Sequence, residues 1–199
     1  MPRRKRFSRP RVNMERRRFV VLDRDGTIIE ERVYLSTPEQ LALIPGAADA
    51  LRQLGEMRLG LIVITNQSGV ARGFFNEAQL KRIHDQFSLS LETQGVELSG
   101  IYYCPHLPED LCVCRKPAPG LIQLAAEELD FDLASSIVIG DKACDIEMGQ
   151  RVGATTILVR TGYGAQFEQS VAADYIVDDL SAAAEIIKGL LRNERNVDL

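Results

Sequence analysis

The chain contains no run of about 18 apolar residues, so no membrane-crossing helix is read from it. Its first residues are basic but lead into no apolar stretch of the kind a secretory leader carries, so export is not indicated. It shows no internal repeat and no low-complexity linker, which argues against a solenoid or a tethered array. The segments between its motifs are short and leave little room for a separate lid domain. Histidine is scarce, with His84 and His106 alone, and there are four cysteines. The expectation from these absences is a single cytoplasmic domain. A length of 199 residues suffices for a real hydrophobic core.

Charge is unevenly spread. Residues 1–18 hold nine Lys or Arg and one Glu, which leaves a strongly acidic remainder in a chain of net charge −4. A basic segment can engage nucleic acid or anionic lipid. The plainer expectation is a disordered leader over 1–17, with Met14 as a second candidate start, a domain over 18–192 and a tail over 193–199. The acidic body argues against a general nucleic-acid surface and against a membrane partner.

Short apolar strands alternate with amphipathic stretches throughout. Strands are expected at 18–22, 60–65, 98–103, 136–140, 155–159 and 175–177. Helices are expected at 47–57, 77–93, 119–129, 144–152 and 180–192. Asn76 is a natural N-cap for the second helix, with Glu77 in its first turn. Near-continuous apolar strands such as Leu61-Ile62-Val63-Ile64 suit a parallel sheet buried on both faces. The predicted fold is therefore α/β, a doubly wound parallel sheet. Ligands on such sheets bind beyond the carboxyl ends of the strands.

Polar motifs fall at those ends. Asp23-Arg24-Asp25-Gly26-Thr27 follows the run Phe19-Val20-Val21-Leu22. Residues two apart on a strand share a face, so both carboxylates can reach one phosphate and one metal ion. Thr65-Asn66-Gln67-Ser68-Gly69, Arg115-Lys116-Pro117 and Gly140-Asp141-Lys142 complete the set, with Asp145 close behind. Each alone could be a polar turn; all four in this order suit phosphoryl transfer, which needs a nucleophile, donors for the equatorial oxygens and cations for developing charge. Asp23 is the natural nucleophile. Asp25 can protonate the leaving oxygen and then activate water. Thr65 and Lys116 can hold the phosphoryl oxygens, and Asp141 can add an oxygen ligand to Mg²⁺.

Cys104-Pro105-His106 is followed by Cys112-Val113-Cys114. Three thiolates and one imidazole make a closed tetrahedral set for Zn²⁺, so a structural zinc is expected, pinning the loop that leads into Arg115 and Lys116. Cys144 is expected to be a packing residue, and His84 a surface or satisfied histidine.

This combination resembles the haloacid dehalogenase superfamily of phosphatases over roughly Phe19 to Gly162. The resemblance implies a largely capless fold with a zinc-binding loop. It further implies Asp23 as nucleophile and Mg²⁺ ligand, and Asp25 as acid/base with its backbone carbonyl on Mg²⁺. Thr65 and Lys116 would be phosphoryl stabilisers, Asp141 the remaining protein ligand, and Asp145 a support for the metal site. The zinc loop points to a branch acting on small sugar bisphosphates, and departs from some of its members in being shorter between His106 and Cys112. Arg115, with Lys142, would then meet a second phosphate. Glu31, Arg32, Val33 and Tyr34 align with a substrate-contacting loop, as do Asn66, Gln67 and Ser68. Alternatives remain open at this level: histidinol phosphate as substrate, a nucleic-acid end-binding or end-processing protein using the basic leader, or a non-catalytic zinc scaffold. A compact domain of this kind could work as a monomer.

Overall fold

The computed structural model describes residues 17–197, with side chains through 194. The expected leader therefore lies outside the described residues except for Arg17, as do the last two residues of the expected tail. Six strands form one parallel sheet: β1 Phe19–Leu22, β2 Gly60–Asn66, β3 Gly100–Cys104, β4 Ile137–Gly140, β5 Thr155–Val159 and β6 Tyr175–Val177. Their order is β3-β2-β1-β4-β5-β6. The helices are α1 Ala47–Glu56, α2 Glu77–Glu92, α3 Gly120–Leu129, α4 Ala143–Arg151, α5 Gly164–Phe167 and α6 Leu180–Val197.

Alternation along each strand divides the core in two. Val20, Leu22, Leu61, Val63, Ile137, Ile139, Ile157 and Val159 pack with α1, α2 and α6 on one face. Phe19, Val21, Ile62, Ile64 and Val138 pack with α3 and α4 on the other. Burial on both faces is why these strands read as unbroken apolar runs.

The order reverses at β1, where the chain leaves first toward β2 and later returns to β4. That reversal opens a crevice at the carboxyl ends of β1, β2 and β4, where such sheets take their ligands. Among the described residues no inserted domain covers it. The rim consists of the 23–46 connection, the 67–76 loop and the 105–119 segment.

Most element boundaries fall within one residue of expectation, and three elements differ in ways that matter here. Cys104 closes β3 rather than beginning a loop, because Asn66 pairs with it across the ladder. α5 was not foreseen: a four-residue helix has no periodicity to detect. α6 runs past 192 to Val197, and Arg18 forms an ion pair with Glu194.

His84 is a buried side chain of α2, with its ring edge against Tyr103 at 5.6 Å between centroids. Burial, with the Arg24 charge adding to it and Asp85 opposing, lowers its pKa to about 3. The unfolded chain therefore binds one more proton than the native state between about pH 3 and pH 6.5, so this contribution to stability is lost as pH falls through that window. Urea unfolding at pH 7 and pH 5 should show His84→Leu losing less stability on acidification than the wild type, by on the order of 2 kcal/mol.

Candidate active site

The crevice at the reversal of strand order is a cleft of about 150 Å³. Its lining includes Asp23, Asp25, Glu31, Arg32, Val33, Tyr34, Thr65, Asn66, Gln67, Ser68, Lys116 and Lys142. Asp141 and Asp145 are fully buried beside it. Ligand atoms of Asp23, Asp141 and Asp145 lie within 4.8 Å of one another.

β1 delivers Asp23, whose backbone N–H still donates to Ile139 O of β4 at 2.9 Å and so prolongs the sheet. The chain then turns at Gly26 with φ +83°, a conformation that glycine adopts without strain. Lys116 enters from the segment before α3. Its Nζ donates to Asp23 Oδ1 at 2.8 Å and to Ile64 O at 2.6 Å, and it pairs with Asp145 Oδ1 at 2.6 Å. Burial opposes the charge on Lys116, but Asp145 and Asp23 outweigh it and raise its pKa. Burial likewise pushes Asp23 upward, while Lys116 and Lys142 together hold its carboxyl below the usual range.

Asp141 occupies the opposite position. Tyr163 N donates to its Oδ2 at 2.9 Å, while Oδ1 is buried without a hydrogen-bond partner among the described residues. Burial, reinforced by the neighbouring Asp23 charge, raises its pKa to about 8. Lys142 Nζ lies 3.9 Å from Asp141 Oδ1, beyond hydrogen-bond reach, and a buried carboxylate with one oxygen free of hydrogen bonds, close to a second carboxylate, fits a hard cation such as Mg²⁺. Asp145 fits that role less well. Its Oδ2 accepts from Lys142 N at 3.0 Å, capping α4, and its Oδ1 faces Lys116.

The polar loop after β2 is turned inward. The Asn66 amide clamps the Lys116 backbone, with Oδ1 accepting from Lys116 N at 3.0 Å and Nδ2 donating to Lys116 O at 3.1 Å. Gln67 Nε2 donates to Thr65 Oγ1 at 2.8 Å and to Asp25 Oδ2 at 3.0 Å. These amides line the cleft, and within the chain their hydrogen bonds go to neighbouring cleft residues. Ser68 lies on the wall without such a commitment among the described residues. Thr65 Oγ1 donates to Asp25 Oδ2 at 3.4 Å.

At the mouth, Lys142 pairs with Glu31 at 2.7 Å and lies over the Tyr163 ring. Arg32 pairs with Glu30 at 2.9 Å. Val33 is 75% exposed, and Tyr34 packs on Phe74 at 4.5 Å between ring centroids. Arg115 lies apart from these residues. It is absent from the cleft lining, and its Nη1 donates to His106 O at 3.2 Å.

Cys104, His106, Cys112 and Cys114 converge as expected. Five of their pairwise Sγ and Nδ1 separations lie between 3.2 and 3.6 Å. A tetrahedral zinc at ordinary bond lengths has edges of about 3.8 Å between sulfurs and slightly less to nitrogen. All three cysteines are free, and such crowding of unoxidised sulfur fits a bound cation. Cys144 stands apart at the cleft edge, where burial raises its pKa to about 12.

The 161–164 segment was missed. Thr161 Oγ1 donates to Gly26 O at 2.6 Å, and Gly26 and Gly162 flank the Asp141 carboxylate so tightly that a Cβ on either would collide with Oδ2. The paired glycines after β5 were the available signal. Arg24 was also passed over, since nothing in the motif says which way an intervening arginine turns.

Two outcomes test this geometry. Gly162→Ala, at φ +57° and against Asp141, should lower the thermal midpoint and weaken Mg²⁺ binding by calorimetry at least tenfold. Protein purified without chelator should carry one zinc per chain by elemental assay, and Cys112→Ala should carry none and unfold more readily.

Comparison with known proteins agrees with this arrangement. The HAD-hydrolase-like family model matches residues 113–183. D-glycero-beta-D-manno-heptose-1,7-bisphosphate 7-phosphatase of Yersinia pestis is 39% identical over 178 residues, covering 85% of this chain and 94% of the relative. Its Escherichia coli K12 counterpart is 40% identical over 178 residues, with 85% and 93% covered. The crystal structure of D,D-heptose 1,7-bisphosphate phosphatase from B. bronchiseptica, complexed with magnesium and phosphate, superposes with a TM-score of 0.81 at 34% identity, covering 86% of this chain and 98% of that one. The chain belongs to the haloacid dehalogenase-like hydrolases, in the family of the D-glycero-beta-D-manno-heptose-1,7-bisphosphate 7-phosphatases.

Proposed function

We propose that this protein is a Mg²⁺-dependent phosphomonoesterase that removes the C7 phosphate of D-glycero-D-manno-heptose 1,7-bisphosphate through an aspartyl-phosphate intermediate. The observation that carries the reading is the buried set at the strand ends. Asp23 is kept ionised by Lys116 and Lys142, Asp25 stands beside it, and Asp141 offers an oxygen without a hydrogen bond, 3.9 Å from Lys142 Nζ.

In the first step an Asp23 carboxylate oxygen attacks phosphorus. The bond from phosphorus to the sugar oxygen breaks, and that oxygen takes a proton from Asp25. In the second step water attacks phosphorus and gives its proton to Asp25. The bond to Asp23 breaks, freeing inorganic phosphate and the carboxylate. Lys116 and Thr65 hold the equatorial oxygens where their charge develops. Asp23, Asp141 and the Asp25 carbonyl would hold Mg²⁺, which supplies charge neutralisation between the attacking carboxylate and the anionic substrate. Asp145 keeps Lys116 charged and in place.

The retained C1 phosphate would meet Lys142 at the mouth and, beyond the cleft lining, Arg115, whose Nη1 donates to His106 O. Tyr34 and Val33 would give the sugar an apolar edge. A histidinol amine would instead need free carboxylates, and Glu30 and Glu31 already hold Arg32 and Lys142. The similarity to phosphatases named for the heptose bisphosphate favours the bisphosphate. The zinc loop would be structural, steadying the approach of Lys116. Among the described residues no helix is long and apolar enough to cross a membrane, which is compatible with a monomeric cytoplasmic enzyme supplying ADP-heptose synthesis for the lipopolysaccharide core.

Phosphate release with Mg²⁺ on heptose 1,7-bisphosphate and on histidinol phosphate tests the substrate. The heptose should be preferred by at least 100-fold in kcat/KM; the reverse order would move the enzyme to the other substrate. Asp23→Asn should abolish turnover on both while leaving the thermal midpoint within a few degrees, and retained turnover would sink the nucleophile assignment.

A further inference from the structure

Arg24 lies between the two carboxylates of the first motif and is 1% exposed, among the largest fully buried side chains of the described chain. Its Nε donates to Asp25 Oδ2 at 3.0 Å and its Nη2 to Asp25 Oδ1 at 3.0 Å, so the guanidinium fork grips both oxygens. Burying a guanidinium is expensive unless it is closely paired. Among the described residues Asp25 is the one carboxylate paired with it. Its third nitrogen, Nη1, is buried without a hydrogen-bond partner.

Among the described residues no ion pair other than that with Asp25 is seen for the guanidinium. His84 on α2 is buried, its Nε2 is also unpartnered, and it stays neutral beside the guanidinium. The positive charge of Arg24 is thus directed at one target. The target's other donors, Gln67 Nε2 at 3.0 Å and Thr65 Oγ1 at 3.4 Å, both act on Oδ2. Only the arginine engages both oxygens, and only a planar two-pronged donor can fix the plane of a carboxyl group whose χ2 torsion is otherwise broad.

We propose that Arg24 is the positioning residue for Asp25. This rests on the reading of Asp25 as the acid/base. The fork sets the carboxyl plane before reaction. When Asp25 gives its proton to the leaving oxygen, the fork also meets the negative charge left behind, so the interaction strengthens as the bond to the sugar breaks. The same hold orients the carboxylate for taking a proton from water in the second step. Arg24 itself touches no reacting atom.

The test compares Arg24→Met, Arg24→Lys, Asp25→Asn and the Arg24→Met/Asp25→Asn pair in the full chain with Mg²⁺. One substrate is heptose 1,7-bisphosphate, whose alkoxide needs a proton to leave. The other is p-nitrophenyl phosphate, whose nitrophenolate does not. Arg24→Met should keep a rapid burst of about one nitrophenolate per chain, because the first step then needs no acid. Its steady-state rate on both substrates should fall about 100-fold, within the usual range for lost acid–base catalysis. Arg24→Lys should stay slow, since it restores charge without the fork. The double variant should be no slower than Asp25→Asn within about threefold. A burst that falls together with the steady state would overturn the proposal, since a merely structural loss acts that way. Losses that multiply in the double variant, or an Arg24→Met enzyme within threefold of wild type, would also overturn it. Normal turnover by Asp25→Asn would instead bring down the acid/base reading beneath it. Should Arg24→Met fail to fold, Arg24→Lys with its own Asp25→Asn pair carries the same comparison.

Discussion

A single ammonium group holds the cleft together. Lys116 Nζ sits among Asp23, Asp145 and the carbonyl of Ile64, out of reach of solvent. Three buried carboxylates within one ion's reach would repel one another and protonate without it. Removing one partner from a buried ionic group costs about 3–5 kcal/mol, because the remaining charge has nowhere to go. The surrounding structure acts to keep this ammonium in place. Asn66 binds both backbone groups of Lys116, the sulfur cluster anchors the segment just before it, and Gly120 N closes on Val113 O behind it. The zinc-type loop is thus a strut for one cation.

That dependence also explains the division of labour among the acidic residues. Asp145 caps α4 and faces Lys116, Asp23 shares Lys116 and lines the cleft, and Asp141 is left with an oxygen that has no hydrogen bond. Three chemically identical side chains acquire three roles from their neighbours alone. Burial raises Asp141 to about 8 and Asp145 to about 6, while the two lysines outweigh burial at Asp23 and keep it below its ordinary value.

The sheet was legible because its strands are buried on both faces, so Leu61 to Ile64 and Ile137 to Ile139 announce themselves as apolar runs. The clustering of Asp23, Thr65, Lys116 and Asp141 was legible because the carboxyl ends of parallel strands share one edge. Orientation was not. Asn66 and Gln67 read as open donors, but their amides turn to Lys116 and Asp25, since two-sided hydrogen bonding depends on what folds against them. Arg115 was expected at the mouth from its place beside Lys116; neighbours in sequence on a turning loop need not share a direction. Arg24 carried no sequence signal that it would be buried, because arginine is mostly a surface residue.

The glycines around Asp141 divide the cleft into two materials. Gly26 and Gly162 leave no volume for even a methyl group beside that carboxylate, so the floor admits no variation in composition. The rim differs: Val33 and Phe74 project into solvent, and Leu111 and Val113 stand out from the sulfur loop. Substitutions there disturb no buried packing. A chain built this way can drift in what it admits while its reaction stays fixed, and any redesign for another phosphate ester has its freedom confined to those outward-facing loops.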